Sequence, residues 1–157
     1  MSPELRRDFI GLVAEGVSGP VVYEPGTSQY QAVDWLVDSD PDYLCPDDVT
    51  LLNRYIMVVF YYSTEGATWT RCRAPEAWDP ETEEASNEAC PDGNAWLTSG
   101  TVCDWYGVTC DGTQEITELD IGTLRNVKDY LVVVNLPICL TIVLPMVCTH
   151  RFEQSPG

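Results

Sequence analysis

The feature that most constrains this chain is its set of seven cysteines. They are Cys45, Cys72, Cys90, Cys103, Cys110, Cys139 and Cys148. A structural zinc site needs four nitrogen or sulfur ligands at close spacing, whereas this chain has no Cys-x-x-Cys pair and a single histidine, His150. We therefore expect disulfides, which form in oxidising compartments. Because the number of cysteines is odd, at least one thiol is expected to be unpaired or paired with another chain.

The chain is also strongly acidic, with 8 basic and 25 acidic side chains and a formal net charge of −17. A surface of this charge repels phosphate groups, which excludes nucleic acid as a partner and disfavours binding to an anionic membrane surface. The same charge favours solubility. The length of 157 residues predicts one domain, or one domain with tails.

Three segments have the spacing of apolar residues that is typical of helices. The first is expected to begin after a Ser2 cap and to stop between Gly16 and Pro20. Its apolar residues are Leu5, Phe9, Leu12 and Val13. Residues 21–23 are expected to be extended.

The second and third helices should form the core. The second is expected from a cap at Thr27 or Ser28 through Asp38, and the third over about residues 47–63. The apolar face of the third helix comprises Leu51, Leu52, Tyr55, Ile56, Val59 and Phe60. This helix is too short to span a bilayer, so we interpret it as a buried helix.

An acidic loop between these helices carries Asp38, Asp40 and Asp42 at alternate positions. A calcium loop of the EF-hand type has Gly at its sixth position and Glu at its twelfth. Those positions hold Tyr43 and Val49 here, so the pattern fails. We expect a solvated loop and no metal site.

Residues 67–102 have no regular pattern and include Trp69, Trp78 and Trp96. Aromatic side chains in a long loop usually anchor it to the core. Cys72 and Cys90 enclose an acidic stretch, and a disulfide between them would reduce the entropy of an otherwise floppy insertion.

A β-hairpin is expected next, with strands at 108–110 and 116–121 around the turn Asp111-Gly112. In the second strand Ile116, Leu119 and Ile121 should face the core, and Glu118 and Asp120 should face solvent. Helices together with this short hairpin predict an α+β fold.

The composition changes after Gly122. Residues 1–121 hold 5 basic and 23 acidic side chains, whereas residues 122–157 have a net charge of +1. Residues 130–149 carry no charge, and 20 residues are long enough for a membrane helix. Three interpretations stay open for this atypical hydrophobic tail: a buried or sheet-like segment, a membrane anchor, or a non-native end from a misread or truncated gene.

The sequence Cys103-Asp-Trp-Tyr-Gly-Val-Thr-Cys110, followed by Ile116-Thr-Glu-Leu119-Asp-Ile121, resembles the N-terminal cap of plant-type leucine-rich-repeat proteins. The family pattern is Cys-x-Trp-x-Gly-Val-x-Cys and then the first repeat strand, Leu-x-x-Leu-x-Leu. Upstream, residues 54–66 with Trp69 are similar to the cap helix and its Gly-x-x-Trp ending, here Gly66 to Trp69. With Tyr30 to Leu36 added, residues 28–121 resemble the large caps of leucine-rich-repeat proteins of diatoms.

The resemblance implies a role for each motif residue. A Cys103–Cys110 disulfide would lock Trp105 against the first repeat strand, and Gly107, which Val108 follows in the motif, would stand where no side chain has room. A solenoid has an open apolar end that a cap must cover with one apolar and one polar side. The third helix offers the apolar side and the acidic loops the polar one.

The resemblance also implies the function. We expect a non-catalytic capping and interaction module of a cell-surface or secreted protein, with a protein or peptide as partner and no cofactor. Position 124 is Leu where the family has Asn, and no second Leu-x-x-Leu-x-Leu follows, so the chain is expected to be truncated before the repeats. The expected organisation is a helix and linker (1–26), the cap with the first repeat strand (27–121) and the tail (122–157).

Two alternatives stay open. An acidic glycoside hydrolase would use paired carboxylates, for example Asp34 with Glu65, but nothing singles out a pair and no residue is assigned as catalytic. A membrane-attached fragment would use residues 130–149. No signal peptide is visible in the first 20 residues, although the cysteines and the resemblance favour an extracellular location.

Overall fold

The computed structural model describes residues 2–69, 71–75, 90 and 94–121. Its fold is α+β, with helices followed by a two-stranded antiparallel hairpin. The helices are α1 (Pro3–Ser18), α2 (Ser28–Asp38) and α3 (Leu51–Ser63), and the strands are β1 (Val108–Cys110) and β2 (Ile116–Leu119). Short 3₁₀ helices cover Gly19–Tyr23, Gly66–Thr68 and Val102–Asp104. Several expectations fall on residues that the structure does not describe. They concern the tail at 122–157, which includes Cys139, Cys148 and residues 130–149, and the predicted anchor Trp78.

Helix α1 begins as expected but buries a different face. The Ser2 hydroxyl accepts a hydrogen bond from the backbone N–H of Leu5, and Pro3 stands in the first turn. The buried residues are Arg6, Ile10, Gly11 and Ala14. Leu5 and Leu12, expected in the apolar face, are 45% and 59% exposed. The predicted extended piece at 21–23 is also wrong, because it belongs to a 3₁₀ helix, and the Tyr23 ring packs against Gly11.

Helix α2 has the predicted bounds. The Thr27 hydroxyl caps it by accepting the backbone N–H of Tyr30 at 3.1 Å. Its buried residues are Ala32, Val33, Trp35, Leu36 and Val37. Helix α2 lies between α1 and α3, which contact each other only little.

Helix α3 begins at Leu51, four residues later than predicted. The Asp48 carboxylate accepts hydrogen bonds from the Thr50 N–H and hydroxyl at 2.8 and 2.6 Å, so this aspartate closes a turn before the helix. The buried residues of α3 are Leu51, Arg54, Tyr55, Met57, Val58 and Tyr61. The other members of the predicted apolar face, namely Leu52, Ile56, Val59 and Phe60, are half-buried.

The hairpin follows the prediction closely. Val108 pairs with Leu119 and Thr109 with Glu118, and a bulge follows between Thr109 and Cys110. The strand ends at Leu119, two residues short of the predicted end, although the Asp120 N–H still donates to the Gly107 carbonyl at 2.7 Å. Among the described residues, no helix has both the length and the apolar character that crossing a membrane requires.

Candidate functional site

Residues 103–110, here called the tryptophan loop, are closed into a ring by a disulfide between Cys103 and Cys110, whose Cα atoms are 5.6 Å apart. The loop starts in a 3₁₀ turn that Thr101 and Asp104 cap reciprocally. The Thr101 hydroxyl accepts the Cys103 N–H, and the Asp104 carboxylate accepts the Thr101 N–H, both at 3.1 Å. The backbone entering the ring is therefore held by local hydrogen bonds as well as by the disulfide.

Trp105 is the buried centre of this loop, with 1% of its surface exposed. Its indole N–H donates to the Thr98 carbonyl at 3.3 Å. The chain on either side of it pairs with Asn94, which donates to the Asp104 carbonyl at 2.8 Å and accepts the Tyr106 N–H at 2.9 Å. Residues 94–98 thus hold the ring from one side, an arrangement that the sequence did not suggest.

Gly107 makes the closest approach between the tryptophan loop and the end of β2. It has a φ of +77°, and a Cβ atom added there would lie 2.1 Å from the backbone oxygen of Asp120. No L-residue fits without moving the backbone. The expectation that Gly107 stands where a side chain has no room is confirmed.

An aromatic cluster joins the tryptophan loop to helix α3. Trp96 is fully buried at its centre, with ring centroids 5.5 Å from Trp105, 5.1 Å from Trp69 and 5.8 Å from Phe60. The Trp96 indole N–H donates to the Tyr106 carbonyl at 3.0 Å. Trp69 and Trp96 are therefore anchors, as predicted.

Gly66, the other glycine of the motif, is buried beneath the Tyr61 ring. A Cβ atom added there would lie 2.2 Å from a ring carbon of Tyr61. The chain therefore turns tightly at the end of α3, which brings Trp69 back against Tyr61 with ring centroids 5.1 Å apart.

The second expected disulfide, Cys72–Cys90, is also present, with Cα atoms 4.8 Å apart. Cys72 is buried, and its carbonyl accepts the Trp96 N–H at 2.9 Å. This bridge ties the segment after α3 to the aromatic cluster. Cys45 is disulfide-bonded as well.

Arg54 is a central residue of the site that we did not predict. Only 2% exposed, it forms ion pairs with Asp40 at 2.7 Å and Asp42 at 3.2 Å. Its guanidinium also donates to the carbonyls of Thr98 and Gly100 at 2.9 and 2.7 Å. It lies 5.1 Å from the Trp105 ring centroid, so one side chain joins α3, the acidic loop and the segment that holds the ring.

The acidic loop is therefore not the fully solvated loop that we predicted. Asp40 is buried, and burial raises the pKa of its carboxyl against the opposing effect of Arg54. Its Oδ2 atom has no hydrogen-bond partner within the described residues. Asp38 pairs with Arg7 instead. Within the described residues, no group of three or more His, Cys, Asp or Glu side chains is arranged so that it could hold a metal ion.

A second buried arginine, Arg6 of α1, also donates to backbone carbonyls near the acidic loop. Arg6 is fully buried, donates to the carbonyls of Leu36 and Leu44, and lies 3.9 Å from the Tyr43 ring centroid. Of the carboxylates considered for hydrolysis, Asp34 is paired with Arg7 on the surface.

The second strand is attached to this site at both ends. The side-chain amide of Asn53 in α3 donates to the Gln114 carbonyl in the hairpin turn at 3.2 Å. Ile116, Leu119 and Ile121 are half-buried against the core, and Glu118 and Asp120 are exposed, as expected from the sequence. Among the described residues, β2 has β1 as its single neighbour in the sheet.

A shallow depression of about 220 Å³ lies between the start of α3 and the tryptophan loop. It is lined by Asp42, Leu44, Thr50, Asn53, Arg54, Gly100, Thr101, Val102, Cys103 and Gln114. Its two charged side chains, Asp42 and Arg54, form an ion pair with each other.

Comparison of the chain with protein-family models, with curated proteins and with solved structures finds no match in any of the three.

Proposed function

We propose that residues 27–121 form a non-catalytic cap of the leucine-rich-repeat type, which covers the N-terminal end of a repeat stack. The main support is the contact between Gly107 and the backbone of Asp120. This contact seats β2 on a ring that is closed by a disulfide and anchored by Trp105. A strand fixed in this way, with its far side unpaired in the described residues, is suited to receive the next layer of a solenoid.

The distribution of polarity also supports a capping role. The half-buried side chains of Ile116, Leu119 and Ile121 continue the apolar core up to the hairpin. On the other side, α1 exposes acidic residues such as Glu4 and Asp8 to solvent. A cap needs this combination, because one side must match the apolar end of the stack and the other must remain soluble.

An extracellular or cell-surface location is part of the proposal and is supported by the disulfides Cys72–Cys90 and Cys103–Cys110. Any recognition of a protein or peptide would belong to repeats that follow the cap. Non-reducing peptide mass spectrometry on exported protein tests the location: we expect linked peptides for Cys103–Cys110 and Cys72–Cys90. Free thiols at all four positions would remove the assignment.

A fusion tests the capping role directly. Residues 1–121 would be joined to a plant-type leucine-rich-repeat array that lacks its own N-terminal cap. We expect the fused array to be monomeric in size-exclusion chromatography and to unfold at a higher temperature than the bare array. A fusion with Gly107→Ala should lose this gain, and one with Gly112→Ala should keep it. If the unmodified fusion aggregates as much as the bare array, the capping role is wrong.

A further inference from the structure

Cys45, in the acidic loop, is a fixed attachment point on the folded part of the chain. Its side chain is buried, and its sulfur is disulfide-bonded. Its carbonyl accepts the backbone N–H of Asp48 at 3.0 Å, and the carbonyl of the preceding Leu44 accepts a hydrogen bond from buried Arg6. The backbone on both sides of this sulfur is therefore held in place, so a segment bonded to it is held against the acidic loop.

The other cysteines leave few choices for the partner of Cys45. The chain has seven cysteines, and the two bridges described above account for four of them. Besides Cys45, this leaves Cys139 and Cys148, which both belong to the uncharged segment 130–149. A bond formed within the chain must therefore join the acidic loop to this segment.

The length of the intervening chain permits such a bond. Roughly 18 residue steps separate Ile121 from Cys139, and an extended chain of that length reaches up to about 60 Å. A folded unit of the size of residues 1–121 is only roughly 35 Å across. Either tail cysteine can therefore reach the acidic loop, whatever path the chain takes after the hairpin.

The surface beside Cys45 suits an uncharged segment. Tyr43 and Val49, which flank Cys45 in the acidic loop, are 44% and 91% exposed and are among the few large hydrophobic side chains that the described residues leave exposed. Leu5, next to Arg6 in α1, is another. Covering such side chains with apolar residues removes their surface from water, which is favourable. A segment without charge can do this at no cost of burying an ion.

We propose that Cys45 forms a disulfide with Cys139 or Cys148 and that this bond holds the uncharged segment 130–149 against the acidic loop. The two thiols lose two protons and two electrons by exchange with a disulfide-carrying oxidoreductase of an oxidising compartment. The inference goes beyond the capping role, for which residues 27–121 suffice.

The bond also decides between the interpretations of the tail. Ile121 and the bonded cysteine both belong to the same folded unit, so they lie on the same side of any membrane. A single crossing by residues 130–149 would place them on opposite sides when Cys148 is bonded. With Cys139 bonded, the stretch on either side of it is too short to cross. The tail is therefore a segment packed on the folded part of the chain and not a membrane anchor.

Peptide mapping of the full chain without reductant tests the bond. Exported protein would be purified as a monomer, its free thiols blocked, and the denatured chain cut with trypsin. The Lys and Arg positions place Cys45 in the peptide 8–54 and both tail cysteines in the peptide 129–151. We expect these two peptides in one linked species that separates on reduction, with one blocked thiol in the tail peptide. A blocked Cys45, or Cys45 linked to any other peptide, would overturn the proposal.

Cleavage of the folded protein, followed by denaturing gels without reductant, tests whether the bond retains the tail. A cut after Arg125 or Lys128 should leave the tail attached until reductant is added, because the bond bridges the cut. Cys45→Ser should release the tail without reductant. Of the two matched variants Cys139→Ser and Cys148→Ser, one should release it and the other should retain it.

Two results would refute the inference. Release of the tail from the unmodified chain by cleavage alone would show that no bond bridges the cut, and retention of the tail by Cys45→Ser would show that a different bond holds it. The capping role is tested separately, because the fused array ends the chain at residue 121 and lacks the tail.

Discussion

Gly107→Ala probes the contact that joins the tryptophan loop to the end of β2. The new methyl group would start 2.1 Å from the backbone oxygen of Asp120 and 2.8 Å from its carbonyl carbon, so relief requires backbone movement rather than a side-chain rotation. Alanine at a φ of +77° costs roughly 1–2 kcal/mol. Moving the two segments apart also lengthens the hydrogen bond from Asp120 N–H to the Gly107 carbonyl, which contributes about 1 kcal/mol. We expect a loss of about 3 kcal/mol in the free energy of unfolding.

Urea denaturation under non-reducing conditions, followed by tryptophan emission, measures this loss. With a slope of about 1.5–2 kcal/mol per molar urea, the midpoint should fall by about 1.5–2 M. Gly112→Ala is the matched control in the same hairpin, because a Cβ atom there meets nothing within 4 Å. The free energy of unfolding of this control should change by no more than about 0.5 kcal/mol, with a correspondingly small shift of its urea midpoint. Equal midpoints for the two variants, with the Asp120 amide still protected from hydrogen exchange, would refute the proposed contact.

Three further predictions concern the rest of the site. Arg54→Met leaves the buried Asp40 carboxylate without its partner and should lower the free energy of unfolding by about 3–5 kcal/mol. The same change at half-exposed Arg7 should lower it by less than about 1 kcal/mol in the same denaturation assay. Equal losses for the two variants would contradict a buried network. Gly66→Ala should lower the free energy of unfolding by about 2 kcal/mol, because the new methyl group meets the buried Tyr61 ring. Gly16→Ala, where a Cβ atom meets nothing within 4 Å, should instead stabilise α1 by up to about 1 kcal/mol. Hydrogen bonds from Thr113 and Glu115 lower the pKa of Asp111. The hairpin turn should therefore be intact above the ordinary carboxyl pKa and should loosen as the pH falls through the lowered pKa. The carboxyl chemical shift of Asp111 measures this, and titration at the ordinary carboxyl pKa would contradict it.

Features that depend on local chemistry were predictable from the sequence. Caps at Ser2 and Thr27 satisfy backbone groups within three residues, and the Asp111-Gly112 turn sits between two short strands. In each case the residues that define the feature are neighbours in the chain, so no tertiary information is needed. The Cys103–Cys110 disulfide was instead expected from the resemblance of residues 103–110 to the leucine-rich-repeat cap, and it spans only seven positions.

The buried arginines were not predictable in the same way, because their partners are distant in the sequence. Arg54 is the one charged residue in α3, and its carbonyl partners lie 44 and 46 positions away. Helical periodicity assigns a charged residue to the solvent side, which also explains why α1 was predicted with the wrong buried face around Arg6. A usable signal was present: a single arginine among apolar residues, close to an acidic loop, is more consistent with a buried pair than with a surface charge.

The reason for two buried arginines in such an acidic chain lies in its irregular segments. Backbone carbonyls in a loop have no helix or strand to pair with, and leaving them buried without a donor costs free energy. A guanidinium supplies five donors that stay charged at any ordinary pH, so one side chain can satisfy several carbonyls. Arg6 donates to the carbonyls of Leu36, in the last turn of α2, and Leu44, in the acidic loop, and Arg54 donates to those of Thr98 and Gly100, in the segment before the tryptophan loop. The helices therefore hold the neighbouring segments in place through their arginines.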